Sequence, residues 1–487
     1  MLFRSNPDSF DITQRICWGT CHHAENQTDH FIAASRQRTA GVPRQRRARS
    51  EAAGLIRRAR SKRAFGVLAL SSLIGGGLTA FASVPVAAAS HGTLTIGAIA
   101  PFTGSQATLG PIIAAPCSAA VSLIKKAGGV LGHNLTCEQI DDYGDAADAV
   151  PNVSKALATL SSLVASSGID SSVAATVVPI VNRAKLPMIS SNSLSEFDTH
   201  LYPYFWRDTA PDLALGVAMG LWVTQKHYKR VAFITENDVS DTGNLPGAVK
   251  ALAQAKITVT NNLTITGDAS DYQSTLTRII AGHPDALMIS TDEQTLGTLL
   301  SEYKTLNGGS VPAVVTDTGI FDAAPFSAVK AAVNVNCLTS KVALIGTYVN
   351  TASSEFAAYA AAVAASAKVS YPKAIVATGG IAALCDGITV MALAMVKAKS
   401  TNGPKFNKDI ASVSTKRAGA VVIHSFAQGL EQLNHGHQIQ YVGVTGPITF
   451  NQYHNSPGEF ARFAFTASPA SKGLGLISSA KIAEVIK

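Results

Sequence analysis

From Thr93 onward, short apolar runs alternate with longer amphipathic stretches. The runs fall at Leu94–Ala100, Leu135–Ile140, Ser162–Ala165, Pro187–Ser190, Arg230–Thr235, Ile257–Leu263, Ala286–Ser290, Ala313–Thr316 and Lys341–Ile345. Short apolar runs rich in β-branched residues and bounded by turn residues predict strands. Helical patterns occupy Ile112–Lys126, Ala146–Leu160, Thr176–Ala184, Leu213–Tyr228, Asn244–Ala255, Tyr272–Ala281, Thr295–Leu306, Ser353–Ala365, Thr378–Lys397 and Lys416–Leu430. Strands alternating with helices predict an α/β protein with parallel sheets covered on both faces. The stretch is too long for one usual core, so two lobes are expected. In such sheets ligands bind beyond the carboxyl ends of the strands, where the polar loop Pro101–Gly110 lies.

Charge divides the chain. Of 40 basic and 32 acidic residues, 13 and 5 lie in residues 1–90, which leaves 27 of each sign beyond. The basic excess therefore sits outside the folding part and gives no reason to expect a nucleic-acid partner. Residues 57–89 read as an export signal. Arg57, Arg58, Arg60, Lys62 and Arg63 are followed by the uncharged Ala64–Ala82 and the small residues Val86–Ala89. A retained membrane anchor is the competing reading, weakened by Gly75–Gly77 and Pro85.

Residues 1–56 are Arg-rich and lack apolar periodicity, as in a disordered or mis-called extension. No Met occurs between Met1 and Met188. A signal this far downstream points to a functional start near Leu55 or Val42. Cys17, Cys21, His22 and His23 lack the second ligand cluster of a zinc site.

Catalytic signatures are missing. The sequence holds no Gly-x-Ser-x-Gly elbow, phosphate loop, HExxH or paired CxxC. Asp141 and Asp142 are neighbours on a strand and point to opposite faces, which suits loop capping better than acid/base work. His435 and His437 lie in a Gly/Asn turn and suit a solvated loop. No enzyme activity, cofactor or metal is expected.

Cys117 falls in the first helix and Cys137 in the strand after it, so the two can face each other across one layer. Export makes oxidation plausible. The expected disulfides are Cys117–Cys137 and, by elimination, Cys337–Cys385. Four buried thiols are the alternative.

The segments IGAIAPFTGSQATLG, AGGVLGHNL, DDYGDAADAVPNVSKAL, LPMISSNS (Leu186–Ser193), YFWRDTAPD (Tyr204–Asp212) and RVAFITENDVSDTG (Arg230–Gly243) follow one another in this order. Together they resemble the type I periplasmic binding proteins of ABC importers, in the branch of the leucine/isoleucine/valine-binding proteins. The resemblance covers roughly residues 93 to 465. It implies two Rossmann-like lobes joined by a three-crossing hinge, with crossings near Thr209–Asp212, Asn336–Lys341 and Val442–Pro447. Lobe 1 would be 93–209 plus 341–443, and lobe 2 would be 210–340 plus 444–487. It further implies an extracytoplasmic protein that captures a small amino-acid-like or related polar ligand and hands it to an ABC-type membrane permease. An extracytoplasmic sensor signalling to a membrane receptor is the alternative.

The resemblance also implies site residues. Ser171 and Ser172, with Asn192 and Ser193, correspond to the loops that hold an amino-acid carboxylate. Asp317 corresponds to the acidic residue that takes the ammonium, with Asp292 and Glu293 as weaker candidates. The family's pocket tyrosine falls on Ser240-Asp241, and aromatic walls fall near Leu109 and Val376–Gly379, where no aromatic stands. Phe102 or Phe321 would replace the lost wall. The pocket is thus expected to be larger or more polar than one for branched-chain amino acids.

Overall fold

In a computed structural model of the chain, the described residues are 92–487, apart from 105, 170, 318–322, 367–375, 457 and 469–470. The expected N-terminal extension, the export signal, the Cys17–His23 cluster and Phe321 lie outside them.

The first sheet has five parallel strands in the order β2-β1-β3-β4-β5. They are β1 (Thr93–Ala100), β2 (Asn134–Asp141), β3 (Leu163–Gly168), β4 (Met188–Ser190) and β5 (Phe205–Arg207). Helix α1 (Leu109–Lys126) links β1 to β2, α2 (Ala146–Thr159) links β2 to β3, and α3 (Ser171–Arg183) links β3 to β4. The inner residues of β1 are buried on both faces, as expected of a central parallel strand. One face packs against α1, α10 (Ser354–Ser366) and the Gly379–Ala398 helix, and the other against α2 and α3. The Gly379–Ala398 helix is long and apolar enough to cross a membrane, yet 89% of that window is buried within the protein. It is the central core helix of this half.

The second sheet has seven strands in the order β15-β14-β10-β9-β8-β6-β7. Its parallel part is β6 (Arg230–Glu236), β7 (Thr258–Ile265), β8 (Ala286–Ser290), β9 (Ala313–Thr316) and β10 (Val342–Thr347). An antiparallel hairpin, β14 (Phe460–Phe465) and β15 (Ser471–Ile477), completes one edge. Helices α4 (Asp212–Gln225), α5 (Val239–Thr242), α6 (Leu245–Gln254), α7 (Gln273–Ala281), α8 (Glu293–Leu306) and α9 (Ala323–Lys341) accompany it. A small third sheet joins β11 (Val421–Ile423), β12 (Ile439–Gly443) and β13 (Gly446–Pro447).

Several expectations need correction. The second crossing does not lie at 336–341. Those residues finish α9, and β10 then pairs with β9 in the second sheet. The crossing therefore follows Thr347. The third crossing is also later than expected. Val444, Ile448 and Phe450 belong to the core of the first half, and Asn455 bridges Arg207 at the end of β5. Only β14 returns the chain to the second sheet. Lys416–Leu430 is not one helix. The β-branched Val421-Val422-Ile423 forms β11, and Ser425 caps a helix over Phe426–Asn434.

The disulfide expectations divide. Cys117–Cys137 is formed, with Cα atoms 6.1 Å apart. Cys337–Cys385 is not formed, because Cys385 is a free thiol buried in the first half while Cys337 is buried in the core of the second.

Candidate functional site

The two sheets repeat one topology. The order β2-β1-β3-β4-β5 in the first matches β7-β6-β8-β9-β10 in the second. In each, the connections leave the central strand in opposite directions, and this switch point opens a crevice beyond the strand ends. Ser171, Ser172, Asn192 and Ser193 follow β3 and β4, and Ser240, Asp241, Asp292 and Asp317 follow β6, β8 and β9. Helices α3 and α5 pack together across the cleft.

On the first side, Ser171 opens α3 and accepts a hydrogen bond from Asn192 Nδ2 at 3.2 Å. Asn192 is itself fixed: its N–H reaches Ser190 Oγ at 2.9 Å, and its Oδ1 accepts from Leu194 N–H at 3.1 Å. The two serine-bearing loops are thus joined. Ile169, just before α3, has φ +80°, so the chain turns sharply between β3 and the helix.

On the second side, Asp317 Oδ2 accepts from Asn244 Nδ2 and Ser290 Oγ, both at 2.6 Å. Ser290 Oγ also lies 3.5 Å from Asp241 Oδ1. Asn244 is held there by helix packing. A Cβ on Gly216 would come within 1.8 Å of the Asn244 carbonyl, and one on Gly247 within 2.0 Å of the Leu213 carbonyl. Only glycine permits α4 and α6 to approach so closely, and this brings Asp212 and Asn244 to the same edge.

Burial raises Asp317 from the usual carboxylate value to about 6, against the hydrogen bonds from Ser290 and Asn244. Burial also raises Asp212 to about 6, opposed by the Ser193 hydroxyl and reinforced by the Asp317 charge. Asp241 rises to about 8 through burial, then through Asp317, Glu236, Asp238 and Asp292. Asp317 Oδ1 and Asp212 Oδ2 are buried without a hydrogen-bond partner.

Other predicted residues are engaged elsewhere. Asp292 caps α8, accepting from Thr295 N–H at 2.7 Å and Thr295 Oγ1 at 3.0 Å. Ser240 donates both its N–H and its hydroxyl to Asp238 Oδ1. Leu109 is the exposed first residue of α1. Phe102 packs against the core of the first half, and its N–H donates to Asp141 Oδ1 at 2.9 Å. Asp141 is the loop cap its position suggested: burial raises its pKa, but hydrogen bonds from Thr103, Tyr143 and Phe102 hold it below the usual range. Asp212, Asn244 and Ser290 were not singled out by sequence reasoning. Asp212 reads as an ordinary acidic residue in a first helical turn, and Ser290 as the last residue of a strand. Surface cavities of about 280 Å³ and about 690 Å³ lie elsewhere, and none of the predicted site residues lines them.

Comparison with known proteins agrees with this fold. The family model described as "Periplasmic binding protein" matches residues 93–456. A Leu/Ile/Val-binding protein BraC3 of Rhizobium johnstonii is 38% identical over 77 residues, 16% of this chain and 21% of that protein. The match thus spans about a fifth of that relative's length. Among solved structures, a leucine-binding protein LivK of Thermotoga maritima MSB8 superposes with TM-score 0.63 at 15% identity, covering 80% of this chain and 99% of that one. A fatty acid ABC transporter substrate-binding protein of Thermomonospora curvata gives TM-score 0.62 at 14% identity, covering 80% and 94%. At such identities the likeness concerns the fold. With three quarters of its length matched by the family model, the chain belongs to the periplasmic binding protein family.

Proposed function

We propose that this chain is the extracytoplasmic solute-binding component of an ABC importer. It captures a small amino-acid-like or related polar ligand between its two sheets and delivers it to an ABC-type membrane permease. The family binds and carries solutes and is not enzymatic. One observation carries the reading of the ligand. Hydroxyl and amide groups of Ser171 and Asn192 gather on one side of the cleft, while Asp317 on the other keeps a buried carboxylate oxygen unpartnered. A helix start with hydroxyls receives a carboxylate, and a desolvated carboxylate calls for a cation. A ligand with both groups would span the cleft, and only the closed form would satisfy both ends.

A thermal-shift screen of the purified chain against amino acids, amides, ureas and short organic acids tests this. A ligand raises the melting temperature by mass action. A rise with amino acids is the expected result. No response to any of these classes would reject the reading.

A further inference from the structure

The acidic edge of the second sheet holds more carboxyl groups than one ammonium needs. Asp241 on α5 and Asp317 after β9 both lie within reach of the Ser290 hydroxyl. A third carboxylate, Asp212, is only 4% exposed, and its Oδ2 has no hydrogen-bond partner. That oxygen points at the α5–α6 junction: a Cβ on Gly243 would lie 2.6 Å from it. Asp317 acts electrostatically on both Asp212 and Asp241. None of the ion pairs among the described residues reaches these three side chains. Arg207 offers Asp212 only a distant attraction, because its guanidinium is hydrogen-bonded to Asp198 and to the Leu194 carbonyl.

Resting on the solute-binding reading, we propose that the cleft takes a ligand with two cationic groups, such as a basic amino acid or a short diamine, with Asp317 pairing with one group and Asp241 with the other. Asp212 supplies further negative potential beside them. The place of Asp241 supports this. It belongs to the Ser240-Asp241 pair on which the resemblance places a pocket tyrosine, and that pair offers a hydroxyl and a carboxylate instead of an aromatic ring. Like charges crowded in a poorly hydrated cleft are costly unless a cation joins them. Three carboxylates from three separate elements suit an extended organic cation.

The proposal carries a proton signature. Asp241 faces Asp317, Glu236 at the end of β6, Asp238 at the start of α5 and Asp292 at the start of α8, all acidic. Helix α3, packed opposite, brings one basic residue, Arg183, in its last turn. Asp241 therefore holds a proton near neutral pH in the unliganded protein. A cation displaces it, and affinity rises about tenfold per pH unit until Asp241 is ionised.

The test is calorimetric titration of the full chain with lysine, ornithine and putrescine, against leucine, acetamide and urea, in two buffers of different ionisation enthalpy near pH 7. The cationic probes should bind more tightly, with release of about one proton. Asp241→Asn should weaken them about tenfold or more, abolish the proton release and leave the melting temperature near that of the parent. Leucine or an amide binding as tightly as every cationic probe would overturn the dication site while the solute-binding reading stands. Tight cation binding without proton release, unchanged in Asp241→Asn, would remove Asp241 from the site and overturn the proposal. Binding of none of the six probes would count against both.

Discussion

Asp212 donates its backbone N–H to the Ser193 carbonyl at 2.9 Å. This bond ties the loop after β4, on the first sheet, to the first residue of α4, on the second. The pair therefore sits where hinge and cleft meet. Arg207 and Asp198 beside the hinge and Asp317 in the cleft all act on the Asp212 carboxylate. A cation paired with Asp317 would therefore also change the field at the first crossing.

The first prediction concerns pH. Asp212 and Asp317 are raised to about 6 and Asp241 to about 8 in the folded chain, from the ordinary carboxylate value of 3.8. The folded state therefore holds protons that the unfolded state has released. This contribution to stability is fully present below the unfolded value and is lost as pH rises through the folded values. The melting temperature of the unliganded protein should fall between about pH 5 and about pH 8, and Asp241→Asn should flatten the upper part of that fall. Thermal unfolding at fixed ionic strength measures it. A melting temperature that climbs over this range would contradict the assignment.

The second prediction concerns the turn after β12. Asp386, buried in the Gly379–Ala398 helix, accepts from Tyr441 OH and Val444 N–H at 2.9 Å, and from Thr445 N–H and Oγ1 at 2.8 Å. It pins the turn after β12 to the core. Asp386→Ala would leave two buried donors, Tyr441 OH and Val444 N–H, without an acceptor, each costing about 1–3 kcal/mol. Urea unfolding should show a loss of about 2–4 kcal/mol. A loss below about 1 kcal/mol would mean that water or a local shift replaces the carboxylate.

The third prediction concerns the cysteines. The Cys117–Cys137 bridge ties α1 to β2 across 20 residues. Replacing both by Ala should cost about 2–4 kcal/mol. Cys385 should be inert in the native protein, since burial and then the charges of Asp386 and Asp208 push its thiol well above the usual range. Thiol labelling before and after denaturation tests this. Rapid native labelling at Cys385 would show that the core helix opens.

Much of the fold was legible because a buried parallel sheet demands continuous apolar runs, and β1, β6 and β8 have them. The three-residue β5 was not legible, since so short a run has no period. Nor was β14, whose Phe-Ala-Arg-Phe-Ala-Phe belongs to an edge hairpin. The second crossing was misplaced because β10 follows α9 without a turn signal, and only sheet pairing reveals where Val342–Thr347 belongs. Ser171, Asn192 and Asp317 were proposed as site residues through family likeness and their positions after strand ends, and the fold brings them to the strand ends that face the cleft. Asn244 and Ser290 were invisible as site residues because they act through Asp317, and the glycine contact between α4 and α6 that positions Asn244 joins residues distant in sequence.

The central claim is that Asp317 takes the cationic end of a ligand held between the two sheets. Calorimetric titration of the parent and Asp317→Ala, with the ligand that raises the melting temperature most, tests it directly. The account predicts a loss of about 2–5 kcal/mol in binding, as when one partner of a desolvated charge pair is removed, with the fold retained. Unchanged affinity in a folded Asp317→Ala protein would contradict it.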